Sequence, residues 1–229
     1  MKAIILAGGL GSRLKPFTES IPKPLLPIGE KAVLEIQIEN LKKHGFDEIY
    51  LATNYKSEYI KNFFGDGSKY GVKLKISKEE KALGTAGPLT LLKNELESSF
   101  LVMNGDILST VDYGNLYQFA ATTNSLLTIS IKKLITPFEF GNILFKGDYV
   151  TSIQEKPDFV NYILAGIYIM KPDIFNYIPD NTYFGMDQLI SSLIKNQLPV
   201  SKYELTEYWL DIGRIEDFEK AQTELKNHF

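Results

Sequence analysis

The 229 residues carry a formal net charge of −3, with 44% hydrophobic and 23% charged side chains. That balance belongs to a globular chain able to bury a full core, and it gives no basic footprint for nucleic acid or an anionic membrane. Cysteine is absent, which excludes disulfides, thiolate zinc sites and cysteine nucleophiles; the apolar run Ala3 to Ala7 is too short for a signal peptide and nothing approaches a membrane span, so the cytoplasm is the expected address.

Lys2 to Leu6 is a short Ile-rich run that suits a buried strand. Ala7-Gly8-Gly9-Leu10-Gly11-Ser12-Arg13 removes side chains where the backbone leaves that strand. Glycines let the main chain approach a ligand, and successive N–H groups in such a turn form an anion-binding concavity. Arg13 adds a planar fork suited to phosphate oxygens. Further on, Ile21-Pro22-Lys23-Pro24 places a second cation in a segment that two prolines keep extended. The glycines alone read equally well as a bare strand-to-helix turn; with Arg13 and Lys23 they read as a cradle for a polyphosphate. A Rossmann fingerprint needs another glycine where Leu14 stands, and no Gly-Lys-Ser/Thr occurs, which excludes a P-loop.

Ala32 to His44 carries Leu34, Ile38 and Leu41 at helical spacing, and Gly45 stops it. Glu48 to Thr53 is a second strand. Ser57 to Phe64 is a short helix with Ser57 as its N-cap, and Val72 to Ile76 alternates as a third strand. Gly87-Pro88 opens a helix through Leu92, and Ser99 to Asn104 is a fourth strand ending at Gly105-Asp106. Beyond it, Leu126–Lys132 and Phe140–Phe145 are strand-like, and Lys146-Gly147-Asp148 turns a hairpin into Tyr149–Gln154. Another strand follows at Ile163–Met170, then helices at Lys171–Tyr177 and Met186–Lys195. A strand at Val200–Leu205 and a helix from Ile215 to about Asn227 close the chain. The β-α-β rhythm predicts an α/β fold with a mixed, mostly parallel sheet flanked by helices. Without repeats or linkers, residues 1–229 read as one domain, whose two halves of about 1–110 and 111–229 share the same sheet.

GGLGSRLKP followed by IPKPLLPIG is similar to the signature of the sugar-1-phosphate nucleotidyltransferases, the NDP-sugar pyrophosphorylases. Leu83 to Leu89 (LGTAGPL) resembles their mannose-1-phosphate or heptose-1-phosphate guanylyltransferase branch. The likeness implies a single Rossmann-like domain of the GT-A type and a Mg²⁺-dependent transfer of a nucleotidyl group from NTP, GTP foremost, to a sugar 1-phosphate. It runs from Met1 to about Ala221, so the β-helix modules appended in many relatives are not expected, and a homo-oligomer stays open.

The resemblance also implies the site. Leu6, Ala7, Gly8, Gly9, Gly11, Ser12 and Arg13 would bind the nucleotide together with Gly84 and Thr85, and Lys23 would join Arg13 on the triphosphate. The base reader falls about five residues before Gly84, at Glu79: a carboxylate accepts from the two adjacent donors of guanine, where uracil or thymine would oppose it with carbonyl oxygens. Ala82 replaces the family's proline there, so Glu80 is the alternative reader. Asp106 ends a probable parallel strand, the edge where open α/β sheets bind ligands. With Asp211, of Tyr208-Trp209-Leu210-Asp211-Ile212-Gly213, it resembles the family's Mg²⁺ pair; each alone could be an ordinary cap. Glu155-Lys156-Pro157 resembles the motif that takes the sugar hydroxyls and phosphate, and Asn104, Gly141, Ala165 and Gly166 fall where the family meets the sugar. Leu164 and Gly185 depart from the family pattern in that pocket. His44 and His228 have no partner that suggests catalysis. The other classes that fit are a cytidylyl- or uridylyltransferase acting on another phosphate, a glycosyltransferase, which would typically carry an Asp-x-Asp motif absent here, and a non-catalytic nucleotide- or sugar-sensing subunit.

Overall fold

Alternation along the first strand decides the layering. Of β1 (Lys2–Leu6), Ala3 and Ile5 enter one apolar core while Ile4 enters the other, and all three are fully buried. The structure, a computed structural model, describes residues 1–54 and 56–228, with side chains of all of these except 225–228. After β1 come α1 (Phe17–Ser20), the two-residue strands β2 (Pro27–Ile28) and β3 (Lys31–Ala32), α2 (Val33–Lys43), β4 (Glu48–Thr53) and α3 (Ser57–Phe64). β5 (Lys73–Lys78), β6 (Phe100–Asn104), β7 (Ile107–Ser109) and α4 (Tyr113–Thr122) complete the first half. The second half holds β8 (Leu127–Pro137), β9 (Asn142–Lys146), β10 (Tyr149–Gln154), β11 (Asp158–Met170), α5 (Met186–Lys195), β12 (Val200–Glu204), β13 (Trp209–Asp211) and α6 (Ile215–His228).

Seven strands form the central sheet in the order β12-β8-β11-β6-β1-β4-β5, and β11 alone runs against the others. The second half thus extends the sheet of the first. Helices α2, α3 and α4 cover one face through Leu34, Ile38, Ile60, Phe64 and Leu116. The other face is covered by α5 and two 3-10 segments, Gly87–Glu95 and Pro172–Tyr177, through Leu89, Ile174, Leu189 and Leu193. Each such Leu or Ile, buried in full, contributes roughly 1.5–3 kcal/mol. A third, smaller core of Leu14, Leu26, Ile28, Leu108, Leu210 and Ile212 lies beneath the loops that leave β1 and β6.

Several elements differ from the sequence expectation. The segments at Gly87 and Pro172 are 3-10 rather than α-helical. α3 begins at Ser57, but its N-cap is Lys56 in a left-handed conformation with no side-chain cap bond. α4 has no counterpart among the expected elements: Asp112 caps it by accepting from the Asn115 N–H at 2.9 Å, and Tyr113, Leu116 and Ala120 are its buried face. β9 starts at Asn142, so Phe140 and Gly141 precede it, and β11 starts five residues before Ile163.

Candidate functional site

The carboxyl ends of three parallel strands are level. Leu6 on β1 pairs with Ala52 on β4 and with Asn104 on β6, so the loops that follow emerge side by side. The glycine loop stays close because the Ala7 N–H donates to the Ala52 carbonyl at 2.7 Å. The β6 loop is tied to it by the Gly105 N–H, which donates to the Leu6 carbonyl at 2.9 Å. A Cβ on Gly105 would lie 2.8 Å from that same Leu6 oxygen, so the contact requires glycine. Gly11 adopts φ +62°, where a Cβ would meet Thr18 at 2.8 Å.

Two connected chambers open on these ends. The first, about 220 Å³, is lined by Leu6, Ala7, Gly9, Gly11, Ser12, Arg13, Lys23 and Asp106, all singled out in the sequence, and by Pro24, Gly105 and Gly213. The second, about 380 Å³, shares Leu6, Gly9 and Asp106 and continues past Gly8 to Glu79, Gly84, Thr85 and Asn104. Leu10, Asn54, Ala82, Pro88 and Tyr183 also line it and were not anticipated. Asn54 was findable, because it follows the end of β4 as Asp106 follows the end of β6; Tyr183 carried no local signal.

Asp106 and Asp211, far apart in sequence, meet through two three-residue strands. β7 and β13 pair antiparallel with Asp211 opposite Ile107, and the Ile212 N–H donates to the Asp106 carbonyl at 2.9 Å. Lys23 contacts Asp106 Oδ2. Oδ1 of each aspartate is buried without a hydrogen-bond partner among the described residues. Burial, and then the neighbouring Asp106, push the Asp211 carboxyl up to about 6, against the opposing pull of Lys23 and Arg13. Two orphaned hard oxygen donors beside two cations suit a divalent cation whose remaining ligands come from phosphate and water. Beneath them, buried Gln37 of α2 donates from Nε2 to the carbonyls of Asn104 (2.9 Å) and Ile107 (2.7 Å), clamping both ends of the turn that carries Asp106.

Glu79 is buried, and its Oε2 accepts from the Leu83 N–H at 2.9 Å. Its Oε1 lies 3.1 Å from where a Gly8 Cβ would stand. Burial raises its pKa, partly offset by that N–H. Glu80 is exposed and outside the chamber lining. Gly84, at φ +82°, packs on the Phe184 backbone, and the Thr85 hydroxyl accepts from the Met186 N–H at 2.7 Å, joining this loop to the start of α5.

The residues expected at the sugar divide. Gly166 sits in an irregularity of β11 against the Asn104 side chain, where a Cβ would come within 2.7 Å of Nδ2. Ala165 is buried, and its carbonyl accepts from the Trp209 indole at 2.8 Å. Gly141, Glu155 and Lys156 line neither chamber; they are exposed together at the open end of the β9–β10 hairpin, where a Cβ on Gly141 would lie 3.3 Å from Glu155 Oε2, with Lys156 in a left-handed conformation at φ +44°. His44 ends α2 beside Asp112, with Nδ1 at 3.2 Å from its Oδ1, and the His228 side chain lies outside the described residues.

The sequence profile described as "Nucleotidyl transferase" matches residues 2–228. The chain belongs to that family. Among the relatives of this nucleotidyl transferase is the "Probable mannose-1-phosphate guanylyltransferase 1" of Oryza sativa subsp. japonica. It is 37% identical over 227 residues, which take in 95% of this chain and 63% of that protein. The "UTP--glucose-1-phosphate uridylyltransferase" of Synechocystis sp. is 32% identical over 241 residues, covering 96% of this chain and 62% of that one. The family member thus spans under two thirds of these curated relatives. The crystal structure of HddC from Yersinia pseudotuberculosis complexed with GMP-PN superimposes with a TM-score of 0.74 at 28% identity, over 98% of this chain and 99% of that one. Among the described residues no helix is long and apolar enough to cross a membrane.

Proposed function

We propose that this chain transfers a nucleotidyl group from GTP to a sugar 1-phosphate, giving a GDP-sugar and pyrophosphate. One observation carries the reading: Arg13, Lys23, Asp106 and the glycine loop line one chamber, Asp211 is held beside Asp106, and the adjoining chamber reaches the buried carboxylate of Glu79. A sugar-phosphate oxygen forms the new bond to the α-phosphorus as the bond to the bridging oxygen of pyrophosphate breaks. The nucleophile is already an anion at neutral pH, so no general base is required, and the protein's work is positioning and charge neutralisation.

Arg13, Lys23 and the amides of Gly8 to Gly11 receive the triphosphate; a contact ion pair is worth about 4 kcal/mol at an intermediate effective dielectric. Lys156, on its exposed loop, meets the phosphate of the incoming sugar, and Glu155 its hydroxyls. Asp106 and Asp211 would hold Mg²⁺, for which their orphaned oxygens are suited, and the ion when bound supplies further neutralisation of the reacting phosphates. Guanine is favoured because Glu79 keeps Oε1 and the second lone pair of Oε2 for its ring N–H and exocyclic amine. A bidentate base contact of this kind discriminates by roughly 1–3 kcal/mol.

The test is a pyrophosphate-release screen of four NTPs against a panel of sugar 1-phosphates with Mg²⁺. Release with GTP and one sugar phosphate, dependent on both, supports the proposal. Release of free nucleoside diphosphate from an NDP-sugar would identify a glycosyltransferase, and no product from any pair would leave a sensing subunit.

A further inference from the structure

Between Ile131 and Ala165 no side chain is buried. The stretch comprises the outer part of β8, the β9–β10 hairpin and the first half of β11. β12 pairs with β8 only as far as Ile131, and β6 pairs with β11 only from Ile167 onward. Beyond those points β8 and β11 continue as a two-stranded ribbon with no third strand paired to it among the described residues, and β9 and β10 form a separate two-stranded sheet. An isolated two-stranded element is marginal in water and normally packs its apolar face on a further layer.

The apolar faces are built for such a layer. Register places Ile143 opposite Ile153 and Phe145 opposite Val150 on one face of the hairpin, while Asn142 opposite Gln154 and Leu144 opposite Ser152 take the other. Those four apolar side chains are 43–73% exposed. On the ribbon, Ile135 faces Val160 across the strands, also in solvent. Phe138 joins the two parts, edge-on to both Phe140 and Phe159. With aromatic side chains alone burying about 150–250 Å² each, the exposed apolar surface of the stretch is on the order of 1,500 Å², well beyond the usual ~300–600 Å² patch of a monomer. Half of it matches the ~800 Å² per partner of a standard interface.

We propose that this face is the two-fold interface of a homodimer, in which the hairpin and ribbon of one copy cover those of another. Charge favours a second copy over other occupants. Lysines and acids are equal in number from 132 to 164, with Lys133 and Lys146 set among Glu139, Asp148 and Asp158. A neutral, mixed rim attracts neither an anionic membrane nor a strongly charged protein, whereas a two-fold contact sets its own opposite charges across from each other.

Sedimentation velocity on the full chain, from low micromolar to near-millimolar concentration, tests this. The expected species is twice the 25.9 kDa chain mass. The double variant Phe145→Glu/Ile153→Glu should sediment as a monomer at concentrations where the parent is dimeric, with unchanged far-UV circular dichroism, since neither side chain is buried. Leu91→Glu, at an exposed apolar residue elsewhere, should leave the dimer intact. Should the double variant misfold, amide exchange of the parent decides: slower exchange over 142–154 at high than at low concentration supports the proposal. A parent that stays monomeric, whatever else then binds the face, overturns it. So does a double variant that dimerises as the parent does, a Leu91→Glu that dissociates equally, or exchange over 142–154 that ignores concentration.

Discussion

Replacing Asp211 by Asn should stabilise the metal-free protein at alkaline pH while removing a group the proposed chemistry needs. Burial and the adjacent Asp106 push the Asp211 carboxyl up to about 6 from an ordinary 3.8. The folded state therefore holds that proton more tightly than the unfolded chain does. The resulting stability is fully present below pH 3.8 and is lost as pH rises through about 6. Above that, a shift of about two units corresponds to a deficit of at most ~3 kcal/mol, and roughly half of that once solvent screening of a half-buried group is allowed for. Asn keeps the shape, sheds the charge and can donate to Asp106. At ~2–4 °C per kcal/mol for a chain of this size, Asp211→Asn should melt about 3–6 °C above the parent at pH 8 in chelator. The gap should close toward pH 4, where both side chains are neutral. Thermal unfolding followed by circular dichroism across that range measures it. An Asn variant that melts at or below the parent at pH 8 would refute the electrostatic description of the site.

Glu79→Gln should shift the nucleotide preference from GTP toward UTP or TTP by about 5- to 150-fold, the equivalent of ~1–3 kcal/mol, read as the ratio of kcat/KM values; an unchanged profile would move base reading to the backbone. Gln37→Leu strips two buried carbonyls of their donor, and at ~1–3 kcal/mol for each unsatisfied group it should lower the urea midpoint and kcat together. Gly105→Ala should cost ~1–3 kcal/mol in the same urea experiment, because its Cβ would stand 2.8 Å from the Leu6 oxygen.

The parts of the fold legible in the sequence are those whose pattern is local. β1, β4 and β6 are apolar runs bounded by turn residues, and α2 announces itself through Leu34, Ile38 and Leu41 and stops where Gly45 takes φ +81°. α4 was hidden because Gly114 and Asn115 sit in its first turn, so its Asp112 cap and its apolar spacing at Tyr113, Leu116 and Ala120 were outweighed by turn-like composition. β7 and β13 are three residues each, too short for any period to register. Their pairing is nonetheless what sets Asp211 beside Asp106, so the meeting of the two carboxylates is a tertiary fact no local pattern encodes. The cradle was legible for the opposite reason, since Gly8 to Arg13 is contiguous and Lys23 follows closely. Of the neighbours Glu79 and Glu80 only the first is buried and lines the chamber, a difference that adjacent like residues in one loop do not show in the sequence. The hairpin strands were legible as strands around the Lys146-Gly147-Asp148 turn, but that the structure leaves both of their faces in solvent was not.

The most direct measurement is single-turnover pyrophosphate release by Asp106→Asn at saturating GTP and sugar 1-phosphate, alongside calorimetric GTP binding. A cleft that works by gathering charge around two carboxylates predicts that release is lost while GTP still binds. Undiminished release from that variant would contradict the account.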